Sequence, residues 1–148
     1  NQVIMRIKIN FPSPFIFTTL ISVRIGDINY GGHVGNDSIL SILHEARLRF
    51  LNQWNYNEMN AGGCGLIMAD SAIQYKGEAF HGDELKVQLA ISSISSISFD
   101  LYYKMTSTRN GEEVNIVFAK TGMICFDYHS RKIAQMPLEL EEKLKATS

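Results

Sequence analysis

The stretch Asn36-Asp37-Ser38-Ile39-Leu40-Ser41-Ile42-Leu43-His44-Glu45-Ala46-Arg47-Leu48-Arg49-Phe50-Leu51-Asn52-Gln53-Trp54 decides the fold. Within it Ile39, Ile42, Leu43, Ala46, Phe50 and Trp54 recur at helical spacing, one apolar stripe over about five turns. Asn36 or Asp37 is suited to cap its start, because a short polar side chain there can accept an unpaired backbone N–H. Upstream, residues 18–25 alternate and are β-branched, which reads as a strand ending at Gly26-Asp27. Downstream, Gly62, Gly63 and Gly65 break the helical period, and from Leu66 the period becomes two. Leu85, Val87, Leu89 and Ile91 alternate with polar or small neighbours, as do Ile97, Phe99, Leu101, Tyr103 and Met105. Asn110-Gly111 predicts a hairpin into residues 114–126, which are apolar on both faces and so belong inside a sheet. A turn at 127–130, a short strand near Ile133 and a terminal helix opened by Pro137 and carrying Leu138 and Leu144 complete the chain. One long helix can cover only one face of a sheet, so the class is α+β, with the helix across a curved, mostly antiparallel sheet of five to six strands.

With 148 residues, 45% apolar and 20% charged, the chain suits one globular domain over 1–148. Lys plus Arg number 14 against 15 Asp plus Glu, so the basic excess expected of a nucleic-acid binder is missing. No apolar run reaches the roughly 18 residues of a membrane span. Met5, Arg6 and Lys8 precede an apolar stretch at 15–21, but Pro12 and Pro14 interrupt it and no small-residue cleavage site follows before Arg24. Residues 1–14 therefore read as a flexible leader in a cytoplasmic protein. Cys64 and Cys125 lie 61 positions apart without a CxxC, which predicts free thiols, with no disulfide framework and no zinc set.

Chemistry concentrates in Gly26-Asp27-Ile28-Asn29-Tyr30-Gly31-Gly32-His33-Val34-Gly35-Asn36. A carboxylate, an imidazole, two amides and four glycines stand directly before a helix start, where unpaired N–H groups and the helix dipole favour a developing negative charge. The same residue types also make an ordinary strand-to-helix turn, with Asn36 as cap and Asp27 and His33 bonded to backbone.

This run, with Val23-Arg24-Ile25 before it and Leu40 and His44-Glu45-Ala46-Arg47-Leu48-Arg49-Phe50-Leu51 after it, resembles the signature of hotdog-fold thioesterases of the 4-hydroxybenzoyl-CoA thioesterase type. Tyr75-Lys76-Gly77-Glu78-Ala79-Phe80-His81-Gly82-Asp83-Glu84-Leu85 resembles the third-strand region of that family, so the similarity extends over residues 18–128. The resemblance implies a long helix wrapped by an antiparallel sheet, and a homodimer, or a homotetramer of such dimers, with active sites between subunits. It implies hydrolysis of an acyl thioester of coenzyme A or acyl carrier protein, with no metal and no organic cofactor.

Related enzymes carry Gly-Asp-x-Asp where this chain has Gly26-Asp27-Ile28-Asn29. An amide can neither attack a thioester nor take a proton from water, so Asn29 can only orient a reactant. The base then falls to Asp27, on the same side as Asn29 if the backbone is extended there, or to Glu45, well off the apolar stripe and one turn before Arg49. Asp27 bonded to turn amides and Glu45 paired with Arg49 are the structural alternatives. His33 can position water or the carbonyl, and a helix N-terminus favours its neutral form. Backbone groups of Gly32, Val34, Gly35 and Asn36 would hold the thioester carbonyl. Two other functions fit the same pocket: a binding module for acyl-CoA or acyl carrier protein that lost its base, and a hydratase or dehydratase of the same fold.

Overall fold

In the computed structural model, which describes residues 6–12 and 14–148, the sheet is organised around a tight hairpin. Asn110 and Gly111 take φ of 52° and 79°, the positive pair that a type I′ turn requires and that matches the twist of its strands. The turn joins β4 (Ser98–Arg109) to β5 (Glu112–Asp127), with Arg109 opposite Glu112. Around them lie β1 (Phe17–Ser22), β2 (Gly65–Tyr75), β3 (Glu84–Ser92) and the short β6 (Lys132–Ile133). All pairings are antiparallel, in the order β1-β3-β4-β5-β2, with β6 on β5. The expected α+β architecture holds: α1 (Asn36–Asn52) is the one long helix, and α2 (Leu138–Thr147) is short.

Period-two alternation sends Leu85, Val87 and Leu89 of β3 and Phe99, Leu101, Tyr103 and Met105 of β4 to one buried face. The α1 stripe of Ile39, Ile42, Leu43, Ala46 and Phe50 joins the same cluster. Burying one such large side chain is worth about 1.5–3 kcal/mol, so this face fixes the register of helix on sheet. Two extra residues locally bend the sheet. Ala69 of β2 is skipped where Met68 pairs with Met123 and Asp70 with Gly122. Ile116 of β5 is skipped where Met105 pairs with Val117 and Thr106 with Asn115.

The apolar second face of β5 is explained by the segment before β1. Phe11 stands edge-on against Phe118, with ring centroids 4.8 Å apart, and Ile9 donates its backbone N–H to Gln74 Oε1 at 3.2 Å. Residues 6–12 of the expected flexible leader thus lie along the sheet, while residues 1–5 and 13 of that expectation fall outside the described residues.

Four local expectations shift. The first strand ends at Ser22, and Ile25 sits exposed in a 3-10 turn, Ile25–Asp27. Gly35, not Asn36 or Asp37, occupies the cap position, and Asn36 is already helical. Trp54 lies beyond the end of α1 and continues the stripe by ring contacts, 5.0 Å from Phe50 and 5.9 Å from Tyr56. Pro137 caps α2 as expected, but Leu138 faces solvent and Leu140 takes its place in the core with Leu144. Cys64 and Cys125 are free and buried. No helix among the described residues is long and apolar enough to cross a membrane.

Candidate functional site

The segment between β1 and α1 folds back on itself before entering the helix. Ile28 and Val34 form an isolated antiparallel bridge, and Asn29 N–H donates to His33 O at 2.9 Å. Gly32, at φ +84°, makes the reversal that a side chain would strain. Asn29 is the organiser of this loop. Its Oδ1 accepts the N–H of Gly31 at 2.9 Å and of His33 at 3.4 Å, an Asx turn that spends the side chain on backbone.

Asp27 closes the preceding 3-10 turn, its Oδ2 accepting Arg24 N–H at 2.9 Å while its carbonyl accepts Gly35 N–H at 3.1 Å. The extended geometry expected to align Asp27 with Asn29 is therefore absent. Asp27 nonetheless lines a cleft of about 470 Å3 with Arg24, Ser41, Ile42, Glu45 and Arg49. The structure thus brings the two candidate carboxylates to one groove along the β1 flank of α1. Glu45 is held there by Arg49, Nε to Oε1 3.1 Å, and nine residues at 1.5 Å rise put it about 13 Å along the axis from Asn36.

Three of the four expected carbonyl-binding backbone amides are taken. Val34 N–H donates to Ala79 O at 2.8 Å and Gly35 N–H to Asp27 O, while Gly32 N–H turns inward to Asn29 O at 3.1 Å. The first intrahelical bond runs from Ile39 N–H to Gly35 O. The amides of Asn36, Asp37 and Ser38 are then the donors that a helix start leaves unpaired, so Asn36 alone survives from the expected group. A Cβ on Gly35 would come 2.8 Å from Asp37 Oδ1, so a side chain there would displace the first turn.

His33 is a third exposed, its Nδ1 3.2 Å from Val34 O and its Nε2 3.9 Å from Glu78 Oε1. Nδ1 donates to that carbonyl in the neutral ring, which leaves Nε2 as the acceptor facing the loop edge. Glu78 was not singled out from sequence: 45 positions separate it from His33, and no local pattern links them.

The larger omission is Arg47. It is 6% exposed and stands under α1, on the flank facing β2. Its Nη1 donates to Tyr103 Oη at 3.2 Å, and Tyr103 Oη lies 2.6 Å from Thr121 Oγ1. Because that oxygen accepts from Arg47, the phenolic proton is free to go to Thr121. Burial pushes the Tyr103 hydroxyl above its ordinary pKa and outweighs the lowering by Arg47, keeping it protonated. Glu58 approaches Arg47 Nε at 3.5 Å and binds His44 Nε2 at 2.6 Å. A cation two positions from the exposed Arg49 was hidden by helical spacing, since Arg47 sits at the edge of the stripe and not within it.

Comparison with known proteins places this geometry. A curated relative, a 1,4-dihydroxy-2-naphthoyl-CoA hydrolase from Microcystis aeruginosa, is 27% identical over 125 residues, covering 82% of this chain and 88% of its own. A crystal structure of a 1,4-dihydroxy-2-naphthoyl-CoA thioesterase from Synechocystis superposes with a TM-score of 0.76 at 24% identity, over 87% of this chain and 95% of that one. A probable thioesterase from Escherichia coli superposes with a TM-score of 0.72 at 26% identity, over 88% and 97%. The family model described as the thioesterase-like superfamily matches residues 23–144, which hold the whole loop, α1 and the sheet from β2 onward. At that level the expected hotdog architecture and enzyme class, a thioester hydrolase, both stand, and the chain belongs to the thioesterase-like superfamily.

Proposed function

We propose that this chain hydrolyses an acyl-CoA thioester to free acid and thiol, with Asp27 as the general base. The observation that carries the reading is the position of Asp27. Its carbonyl accepts the N–H of Gly35, the residue directly before the unpaired amides of Asn36 and Asp37, and Asp27 itself lines the groove along α1. A thioester oxygen held by those amides would gain charge where the 17-residue helix offers its positive end. A water between Asp27 and the carbonyl carbon would lose its proton to the carboxylate as the carbon–oxygen bond forms. The thiolate then leaves and takes a proton from solvent. Glu45, ion-paired and about 13 Å along the helix, is assigned to the groove wall with Arg49. Asn29 shapes the loop, and His33 borders its outer edge.

The acyl group is proposed to be aromatic, as in the names of the Microcystis and Synechocystis relatives. Coenzyme A, rather than a carrier protein, fits the groove mouth, where Arg24 and Arg49 offer cations to phosphate. No cofactor enters this chemistry. A homodimer is part of the proposal: Met68, Ala69, Asp70 and Ser71 lie exposed on β2, whose outer edge has no partner strand among the described residues, an edge that a second copy can extend.

Free-thiol release from benzoyl-, naphthoyl- and short aliphatic acyl-CoAs tests the reading in wild type, Asp27→Asn, Glu45→Gln and His33→Ala. Wild type is expected to turn over at least one aromatic substrate, with Asp27→Asn losing about 100-fold or more in kcat, within the usual 10²–10⁴ worth of a general base. Collapse of Glu45→Gln instead would move the base to Glu45. Binding with no thiol released by wild type would return the chain to the class of binding modules, and an altered acyl chain without free thiol would identify a hydratase. Light scattering is expected to give twice the 16.7 kDa chain mass.

A further inference from the structure

The segment that carries Asp27 is moored at both ends to one turn. At its entry Val23 N–H donates to Asp83 O at 2.9 Å, and at its exit Val34 N–H donates to Ala79 O at 2.8 Å. Asp27 lies between these two bonds, and the unpaired amides of Asn36 and Asp37 follow soon after the second. The turn at 78–83 therefore helps to set how the carboxylate stands relative to the start of α1. Within the turn Asp83 N–H donates to Phe80 O at 3.0 Å and Asp83 Oδ2 accepts Phe80 N–H at 2.9 Å, while Gly82, at φ +94°, makes the reversal.

One side chain from outside closes this turn. Arg109, the last residue of β4, donates from Nη2 both to Glu78 O at 2.6 Å and to Asp83 Oδ2 at 2.7 Å, so a single nitrogen ties the two ends of the turn together. Its guanidinium also lies 5.1 Å from the centre of the Phe80 ring. Both charges are sheltered, with the Arg109 and Asp83 side chains 29% and 16% exposed. Burial raises the pKa of Asp83, but Arg109 and the Phe80 N–H outweigh it and hold the carboxyl below its ordinary range, so the pair is ionised at neutral pH. Hydrogen bonds between ionised partners at this distance are the strong kind.

We propose that Arg109 is a positioning residue for the thioester hydrolysis: by fixing the 78–83 turn it holds Asp27 and the amides at the start of α1 in their working arrangement. This rests on the thioesterase reading given above. Arg109 acts through the Asp83 and Ala79 carbonyls, from the hairpin that organises the sheet. A displacement of about 1 Å caused far from the reacting atoms can cost 10²-fold in rate. Donors to a developing oxyanion act in the transition state, so the loss falls on kcat and leaves KM nearly alone.

The experiment measures kcat and KM for wild type, Arg109→Met, Arg109→Lys and Asp83→Asn on whichever of the benzoyl-, naphthoyl- and short aliphatic acyl-CoAs wild type turns over fastest. Backbone amide exchange at Val34 is followed in the same proteins by NMR. Arg109→Met is expected to lose about 10- to 100-fold in kcat with KM changed by less than about threefold, and to exchange Val34 N–H at least tenfold faster while the amides of β5 keep their wild-type rates. Arg109→Lys, which keeps a cation able to bridge the same two oxygens, is expected to recover most of both losses. A kcat within about threefold of wild type in Arg109→Met, a loss confined to KM, or exchange that quickens equally throughout the sheet overturns the proposal. Asp83→Asn keeps the shape of the turn and removes the charge that holds Arg109, so it decides the matter if Arg109→Met does not fold: kcat and Val34 exchange both at wild-type values refute the role. If wild type releases no thiol from any substrate, the thioesterase reading has failed, and exchange alone judges the mooring. Faster exchange confined to Val34 and its neighbours then supports it, and unchanged exchange refutes it.

Discussion

Arg47 and Arg49 sit two residues apart on one helix, about 200° apart around its axis, and live in opposite worlds. Arg49 is exposed and well bonded: to Glu45 at 3.1 Å, Thr19 Oγ1 at 2.9 Å and Leu20 O at 2.8 Å. Arg47 is buried and poorly bonded, with Tyr103 at 3.2 Å and Glu58 at 3.5 Å. The number of bonds ranks them one way and the energetics rank them the other. Water competes for every bond Arg49 makes, so each is worth little. Arg47 is shielded from bulk solvent by its burial, so whatever touches it matters to the fold.

That contrast breaks most readily at Arg47. Replacing it by Ala removes the cation beside Glu58 and one hydrogen-bond partner of the buried Tyr103 hydroxyl, and about 3–5 kcal/mol of stability should be lost. Urea unfolding is the measurement, and a loss under about 1 kcal/mol would show that the buried cation carries no leverage. Tyr56 offers an intermediate case, a buried phenol donating to Glu139 Oε1 at 2.8 Å across to α2. Burial first, then Glu139, pushes its pKa to about 12 from 10. The folded state then holds the phenolic proton more tightly than the unfolded chain does, so the contribution is complete below pH 10 and drains away as pH rises toward 12. It amounts to about 2–3 kcal/mol. Tyr56→Phe should flatten the stability of the protein over that window relative to wild type, and equal slopes for the two would refute the assignment. The smallest effect belongs to Arg49→Ala, expected to cost about 0.2–1 kcal/mol and to shrink further in 1 M salt. A cost as large as that of Arg47→Ala would erase the contrast between the two flanks.

The sheet and helix were legible because both rest on periodicity: Leu85 to Ile91 at period two, and Ile39 to Phe50 at three and four. The hairpin was legible because Asn110-Gly111 is nearly the only chemistry that a type I′ turn accepts. The site was legible only in its residue types. Asp27, Asn29, His33 and Glu45 could be named, but which backbone amides remain free depends on the Ala79 and Asp27 carbonyls, which the fold brings to Val34 and Gly35. The approach of Glu78 to His33 and the Tyr103–Thr121 pair beneath Arg47 are meetings of segments distant in the chain. Nothing local in the chain marks them. Leu138 misled for a different reason: in a short helix after Pro137, a shift of two residues rotates the buried face, and Leu140 fits the stripe equally well.

The tight turn at Asn110-Gly111 also bears on the order in which the molecule assembles. Pairing β4 with β5 closes a loop of two residues, whereas β2 reaches β5 across more than forty and β1 reaches β3 across more than sixty. Closing a long loop costs entropy before any contact rewards it, so local pairings lead in time. The β4–β5 ribbon is therefore expected to be the seed on which α1 and the outer strands condense. In pulse-labelled refolding its amides should gain protection first, with the two edges that flank the helix, and the clefts they enclose, completed last.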